Sequence, residues 1–110
     1  MRCVAVPGLP ADPLAAAAQF HAMVAPDLAE SDEDLLLVFP PADHTHRGWR
    51  LAAVQMLARS LAPRRVNAVA SASAAAILAA ERYLTRAPGL TGQYLPLDDE
   101  GAGAVLQAGA

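Results

Sequence analysis

The side chains best suited to bind a ligand lie in one short polar segment, which contains Asp43, His44, His46, Arg47 and Arg50. Two histidines separated by one residue project to the same side of an extended segment, where they could join a carboxylate in holding a metal ion. No fourth ligand can be identified from the sequence, although Asp98, Asp99 or Glu100 could approach in space, and a solvated loop is the simpler account of these residues. No metal site is therefore predicted.

The two arginines of this segment suggest an anion instead. Arg47 and Arg50 flank Trp49 where a helix is predicted to begin, and the free N–H groups of a helix N-terminus attract carboxylates and phosphates. Ser71 follows a predicted strand and would meet this segment at the carboxyl edge of a parallel sheet. A structural interpretation also stands, in which Trp49 packs and both arginines extend over apolar surface. The candidate ligand-binding residues are thus His44, His46, Arg47, Arg50 and Ser71.

Composition limits the function classes that need to be considered. The chain has 110 residues, 55% of them hydrophobic, and a formal net charge of −3. All eight basic residues are Arg and they form no cluster, which argues against nucleic acid as a partner. No run approaches the roughly 20 apolar residues of a membrane span, so no membrane association is predicted and a cytoplasmic location is expected. Cys3, the single cysteine, excludes an internal disulfide.

Strands and helices alternate along the sequence, which predicts βαβ units. Asp12 as N-cap and Pro13 at the first helical position mark the start of the first helix, and Pro26 is expected to end it. The prediction is a small Rossmann-like α/β domain of two or three layers spanning residues 1–110, with residues 98–110 a flexible tail or a short helix. Four parallel strands are predicted at residues 2–6, 35–39, 65–70 and 93–97, and helices at 13–25, 48–62 and 73–86.

The order of these elements also predicts how the sheet is covered. Right-handed crossovers between sequential strands would place successive helices on one face of the sheet and leave the other face bare. Parallel sheets are almost always covered on both faces. A second copy of the chain, or a different protein, is therefore expected to supply the missing layer, and the protein is expected to form a homo-oligomer, most simply a dimer.

Two segments carry a family resemblance. Residues 52–70 join an Ala-rich helix, ending Leu-Ala-Arg-Ser-Leu-Ala, to the strand Arg-Val-Asn-Ala-Val, and residues 90–98 read Leu-Thr-Gly-Gln-Tyr-Leu-Pro-Leu-Asp. In order and spacing these segments resemble the short-chain dehydrogenase/reductase family, and residues 13–39 are similar to its interface helix and the strand that carries its catalytic Ser. The resemblance implies the C-terminal half of a Rossmann fold. It also implies pairing of subunits through the helices predicted at 13–25 and 48–62.

The catalytic positions that the resemblance implies are substituted in this chain. Such an enzyme needs a Tyr acid whose phenol pKa is lowered by a Lys four residues later. Arg47 and Leu51 occupy these two positions, and the strand that should end in Ser ends in Phe39 and Pro40. Gly8 stands alone where a dinucleotide-binding turn requires clustered glycines, so no cofactor is predicted.

Two functions from different classes remain open. The first is a non-catalytic short-chain-dehydrogenase-like protein that acts by association with itself or with a protein partner. The second is a small-ligand binding protein for an anion, nucleotide or metal, or an atypical enzyme, that uses residues 43–50. The substituted catalytic positions favour the first.

Overall fold

The computed structural model describes residues 1–97 of the chain. The predicted tail or helix at residues 98–110 lies outside the described residues. The α/β prediction is confirmed, and apart from the first helix each boundary lies within one residue of its predicted place. In chain order the elements are β1 (Arg2–Ala5), α1 (Pro13–Gln19), a π-helical segment (Phe20–Val24), α2 (Ala25–Leu28), β2 (Leu35–Phe39), a 3-10 turn (His44–His46), α3 (Arg47–Leu61), β3 (Val66–Ala70), α4 (Ala74–Thr85) and β4 (Tyr94–Pro96).

The four strands form one parallel sheet in which strand order equals chain order. Leu36 of β2 lies between Cys3 of β1 and Asn67 of β3, and Ala68 of β3 pairs with Tyr94 of β4. Because β2 has a strand on each side and helices above and below, its residues are apolar throughout. The continuous apolar run in the sequence therefore marks the centre of the sheet.

Helices cover both faces of the sheet, so the domain has three layers. On the first face, Leu35, Leu37 and Phe39 of β2 pack with residues of the α1–α2 region and of α3. On the second face, Leu36 and Val69 pack with Ala80 and Leu84 of α4. None of the helices in residues 1–97 has the length and apolar character that a bilayer-crossing segment requires.

The prediction that one face would be bare is wrong, because α4 lies opposite α1 and α3. With four parallel strands in sequential order, helices on opposite faces mean that the β3–α4–β4 connection has the opposite hand from the first two. The prediction assumed one hand throughout. Arg65 holds α4 in place, since its Nη1 donates to the carbonyls of Leu84 at 2.9 Å and Ala87 at 3.0 Å. Within residues 1–97, Cys3 and Ala5 of β1 are exposed on this second face.

The first helical region starts as predicted but continues beyond Pro26. The Asp12 carboxylate accepts a hydrogen bond from Ala15 N–H at 2.9 Å, as expected of an N-cap. The chain then widens into the π-helical segment, where Ala25 N–H donates to the carbonyl of Phe20, five residues earlier. Because Pro26 falls in the first turn of the new segment α2, its missing N–H is tolerated there and the helix runs on to Leu28.

Candidate functional site

The loop between β2 and α3 is shaped by its own polar side chains. Asp43 caps the 3-10 turn: its Oδ1 accepts hydrogen bonds from the Thr45 hydroxyl and, at 3.0 Å, from the Thr45 N–H. These bonds, the hydroxyl bond foremost, hold the pKa of the Asp43 carboxyl below its usual value. Asp43 therefore acts within the turn and serves to aim the following residues toward α3.

His46 is buried, and both of its ring nitrogens have protein partners. Trp49 donates its indole N–H to His46 Nδ1 at 3.0 Å, so Nδ1 must be the unprotonated nitrogen. Nε2 lies 3.0 Å from the carbonyl oxygen of Ala11 and donates to it in this tautomer. The imidazole thus joins the start of α3 to the segment that precedes α1, and it has no lone pair left for a metal ion.

Arg50 is the second candidate that the structure buries. Its Nη1 donates to the carbonyl of Pro40 at 2.9 Å and to the hydroxyl of Tyr94 at 3.1 Å. The guanidinium carbon lies 4.6 Å from the centre of the Phe39 ring and 5.8 Å from that of Trp49. The interpretation in which this arginine extends over the surface is wrong, because the side chain turns inward over the sheet.

The five candidate residues do not form a single cluster. His46 and Arg50 are linked by contacts with Trp49, whereas His44 and Arg47 are exposed on the surface. Ser71 is buried at the end of β3, where its N–H donates to the Phe39 carbonyl at 3.1 Å and its hydroxyl accepts from Ser73 N–H at 3.0 Å. Within residues 1–97 no group of three or more His, Cys, Asp or Glu side chains could hold a metal ion.

An aromatic cluster fills the place where the family resemblance implies a catalytic side chain. Phe39 ends β2, and its ring centre lies 5.6 Å from that of Phe20, 5.8 Å from Trp49 and 6.0 Å from Tyr94. Phe20 and Phe39 are fully buried. At this strand end the chain therefore offers a packed apolar core in place of a nucleophile or proton donor.

Arg65 to Asn67, part of the strand sequence that carries the family resemblance, stabilise the fold. Arg65 donates its backbone N–H to Asp34 Oδ1 at 2.8 Å and its Nε to Oδ2 at 3.1 Å. The backbone hydrogen bond is the main cause that lowers the pKa of the Asp34 carboxyl. Asn67 is fully buried and holds the loop before β4 through Leu90 and Gln93. The sequence does not predict these roles, although Asp34 directly before β2 is a possible signal for the ion pair.

Cys3 is expected to react slowly with thiol reagents near neutral pH. Its Sγ donates to a Glu81 carboxylate oxygen at 2.9 Å, and burial together with this hydrogen bond raises the pKa of the thiol from 9.0 to about 11. Because the folded chain keeps a proton that the unfolded chain loses between these values, the interaction stabilises the fold below about pH 9 and is lost as pH rises through about 11. The pH dependence of alkylation by iodoacetamide measures the pKa directly.

Glu81→Gln is the matched variant for this measurement. It removes the carboxylate but keeps the side-chain shape, so the midpoint of alkylation should move toward 9.0 without reaching it, since the contribution of burial remains. A midpoint at or below pH 9 in the unmodified protein would contradict the hydrogen bond between Cys3 and Glu81.

Comparison with known proteins gives one match. A family model described as SDR-like, short chain dehydrogenase-like protein, matches residues 4–97, the segment from β1 to the residue after β4. No curated protein and no solved structure matches the chain.

Proposed function

Since this chain belongs to the short-chain dehydrogenase-like family, we propose that it is a non-catalytic member that acts by pairing with a second copy of itself. Arg47 and Leu51, at the positions of the family's Tyr and Lys, are an exposed cation and a partly buried apolar side chain. Neither can take the role of a phenol acid or of the ammonium that activates it. His46, the nearest side chain able to transfer a proton, has both ring nitrogens hydrogen-bonded within the protein.

The observation that carries the proposal is the outer surface of the first helical layer. Leu14 is 81% exposed, Met23 69% and Met56 of α3 52%. The stretch from Pro13 to Ala25 contains no Asp, Glu, Lys or Arg, and exposed His21 is its one titratable side chain, although this stretch forms an outer surface of the domain. We call the exposed apolar residues here the α1–α3 surface: Leu14, Ala15, Ala18, Ala22, Met23, Ala52 and Met56.

A second copy is the partner that best fits this surface. In a two-fold dimer the same patch lies on both subunits, so a charge near the two-fold axis would face its own copy. The stretch from Pro13 to Ala25 has no Asp, Glu, Lys or Arg that could cause such repulsion. The alanines at positions 15, 18 and 22 would let two helices approach closely, and the larger Leu14, Met23 and Met56 side chains could pack between them. The family resemblance implies pairing through these same helices.

The test is sedimentation equilibrium on the unmodified protein and on a variant carrying Leu14→Glu and Met56→Glu. We expect the unmodified protein to be dimeric at micromolar concentration. Burying two unpaired carboxylates from each subunit, four in the dimer, should raise the dissociation constant at least about 10,000-fold, because each costs more than about 1.4 kcal/mol. Circular dichroism should show that the variant keeps its fold, since both replaced side chains point to solvent in the monomer.

Leu78→Glu provides the matched control. Leu78 is a similarly exposed apolar residue, 46% exposed, but it lies on α4 across the sheet. The control should leave the dissociation constant within about twofold. A monomeric unmodified protein would overturn the proposal, and a control that dissociates as readily as the double variant would move the interface away from the α1–α3 surface.

A non-catalytic protein is expected not to bind a nicotinamide cofactor. Titration with NAD(H) or NADP(H) should leave the melting temperature unchanged within about 1 °C. A cofactor that bound only the folded state would add about 2.7 kcal/mol of stability at a hundredfold excess over its dissociation constant. A saturable rise in melting temperature with either nucleotide would contradict the non-catalytic assignment and call for dehydrogenase assays.

A further inference from the structure

A buried positive charge without an acidic partner lies near the carboxyl ends of the strands. Arg50 is only 3% exposed, and an arginine stays charged inside a protein. Within residues 1–97 the one ion pair joins Arg65 to Asp34, so no carboxylate of the described chain neutralises Arg50. A buried ion without a counter-charge is strongly destabilising. Within residues 1–97, therefore, the charge of Arg50 has no acidic counterpart.

The contacts of the guanidinium leave one of its edges unused. Both hydrogen bonds leave from Nη1, to Pro40 and to Tyr94, and the Phe39 ring covers one face of the group. Nε is buried as well and has no partner. The edge that contains Nε can donate two parallel hydrogen bonds to the two oxygens of one carboxylate.

The position of this edge in the fold is one where ligands bind. The chain leaves β2 toward α3 on the first face and leaves β3 toward α4 on the second face. Where neighbouring parallel strands send the chain to opposite faces, a crevice opens outside their carboxyl ends. Pro40, which accepts from Arg50, is the first residue after β2, and Ser71 is the first after β3.

We propose that Arg50 binds a carboxylate through the Nε edge of its guanidinium, at the carboxyl ends of β2 and β3. One guanidinium neutralises one negative charge, and Arg50 is the only buried Arg in the part of the chain that the structure describes. A phosphate dianion would keep an uncompensated charge there, so the charge balance favours a carboxylate. The site is independent of self-association, because the Arg50 side chain is buried between α3 and the sheet and is not part of the α1–α3 surface.

The carboxylate has two possible sources. One is a small free carboxylic acid. The other is the acidic run Asp98, Asp99 and Glu100, which follows Leu97 in the sequence. Both sources carry the same chemical group, a carboxylate, and two arms of one experiment distinguish them.

The first arm compares melting temperatures in sodium acetate, sodium chloride and sodium phosphate at equal ionic strength. If the source is a free acid, acetate should raise the melting temperature saturably by about 5 °C in the unmodified protein. Arg47→Met, which removes an exposed arginine of the same helix, should respond equally. Arg50→Met should not respond, and phosphate should act like chloride. A phosphate effect equal to or larger than that of acetate would overturn the assignment of a carboxylate.

The second arm replaces the acidic run with Asp98→Asn, Asp99→Asn and Glu100→Gln together. If the run is the source, this change should lower the melting temperature when Arg50 is present and leave it unchanged in the Arg50→Met background. Acetate should then stabilise only the variant in which the run is neutral. Such coupling supports the proposal and assigns the carboxylate to the chain itself.

A measurement that does not depend on the folding of Arg50→Met uses the Arg50 Nε–H resonance in nitrogen-proton correlation spectra. Acetate should shift this resonance saturably, in the unmodified protein or in the variant with the neutral run, while the Nε–H of Arg59, on the surface of α3, stays in place. The proposal is overturned if acetate leaves the Arg50 resonance unmoved in both proteins and neutralising the run is not coupled to Arg50.

Discussion

Phe39→Ala is expected to lower the free energy of unfolding by about 4 kcal/mol, a large part of the stability of so small a domain. Phe39 is fully buried and its ring meets those of Phe20, Trp49 and Tyr94. Truncation removes these contacts and leaves a cavity beside β3, whose small side chains cannot fill it. It also removes the ring that covers Arg50, so the buried guanidinium loses a favourable contact.

Urea denaturation followed by the fluorescence of Trp49 measures this loss at the cluster itself, since Trp49 is the only tryptophan of the chain. Tyr83→Ala, which removes an exposed ring on α4, is the matched control and should change the free energy of unfolding by less than about 0.5 kcal/mol. A loss below about 1.5 kcal/mol for Phe39→Ala would show that the cluster is not the main core of the domain.

Asn67→Ala is expected to cost about 3 kcal/mol, because it removes a fully buried amide together with both of its hydrogen bonds to the loop before β4. Asn67 Nδ2 donates to the Leu90 carbonyl at 2.9 Å, and Asn67 Oδ1 accepts from the Gln93 N–H at 3.1 Å. These bonds fix the loop in which Gly92 adopts a φ of 75° and from which β4 begins. The variant should therefore loosen β4 as well as lower the overall stability.

Hydrogen exchange of the β4 amides and urea denaturation test both parts of this prediction. Gln93→Ala keeps the backbone N–H that Asn67 binds and removes only an exposed side chain, so it should cost less than about 0.5 kcal/mol. Equal stability of Asn67→Ala and Gln93→Ala would contradict the role of the buried amide. So would a global loss of stability without faster exchange in β4.

The sequence predicts the elements well where apolar pattern and end signals coincide. The run Leu35 to Phe39 and the cap Asp12-Pro13 each have a local physical cause, and both are found as predicted. The side of the sheet taken by α4 has no such local cause. It depends on long-range contacts, such as those that Arg65 makes with Leu84 and Ala87, and these cannot be inferred from adjacent residues.

In the candidate site, too, the sequence predicts some features and not others. Its location between β2 and α3 follows from chain order, but the direction of each side chain does not. His46 and Arg50 lie on one helical turn with Trp49, and all three point inward because the aromatic cluster accepts them. Charged and titratable side chains are usually exposed, so a sequence pattern predicts a solvated loop here. Only the tertiary structure distinguishes buried Arg50 from exposed Arg47.

The sequential order of the strands has a consequence for how the chain is made. Across residues 1–97 every new strand adds to the outer edge of the sheet formed by the strands before it, and none of these strands has to be inserted between two others. Domains begin to fold from the N-terminus while synthesis continues. This topology therefore lets β1 and β2 assemble with α1 as soon as they leave the ribosome. β3 and β4 can then each pair with a strand that is already folded.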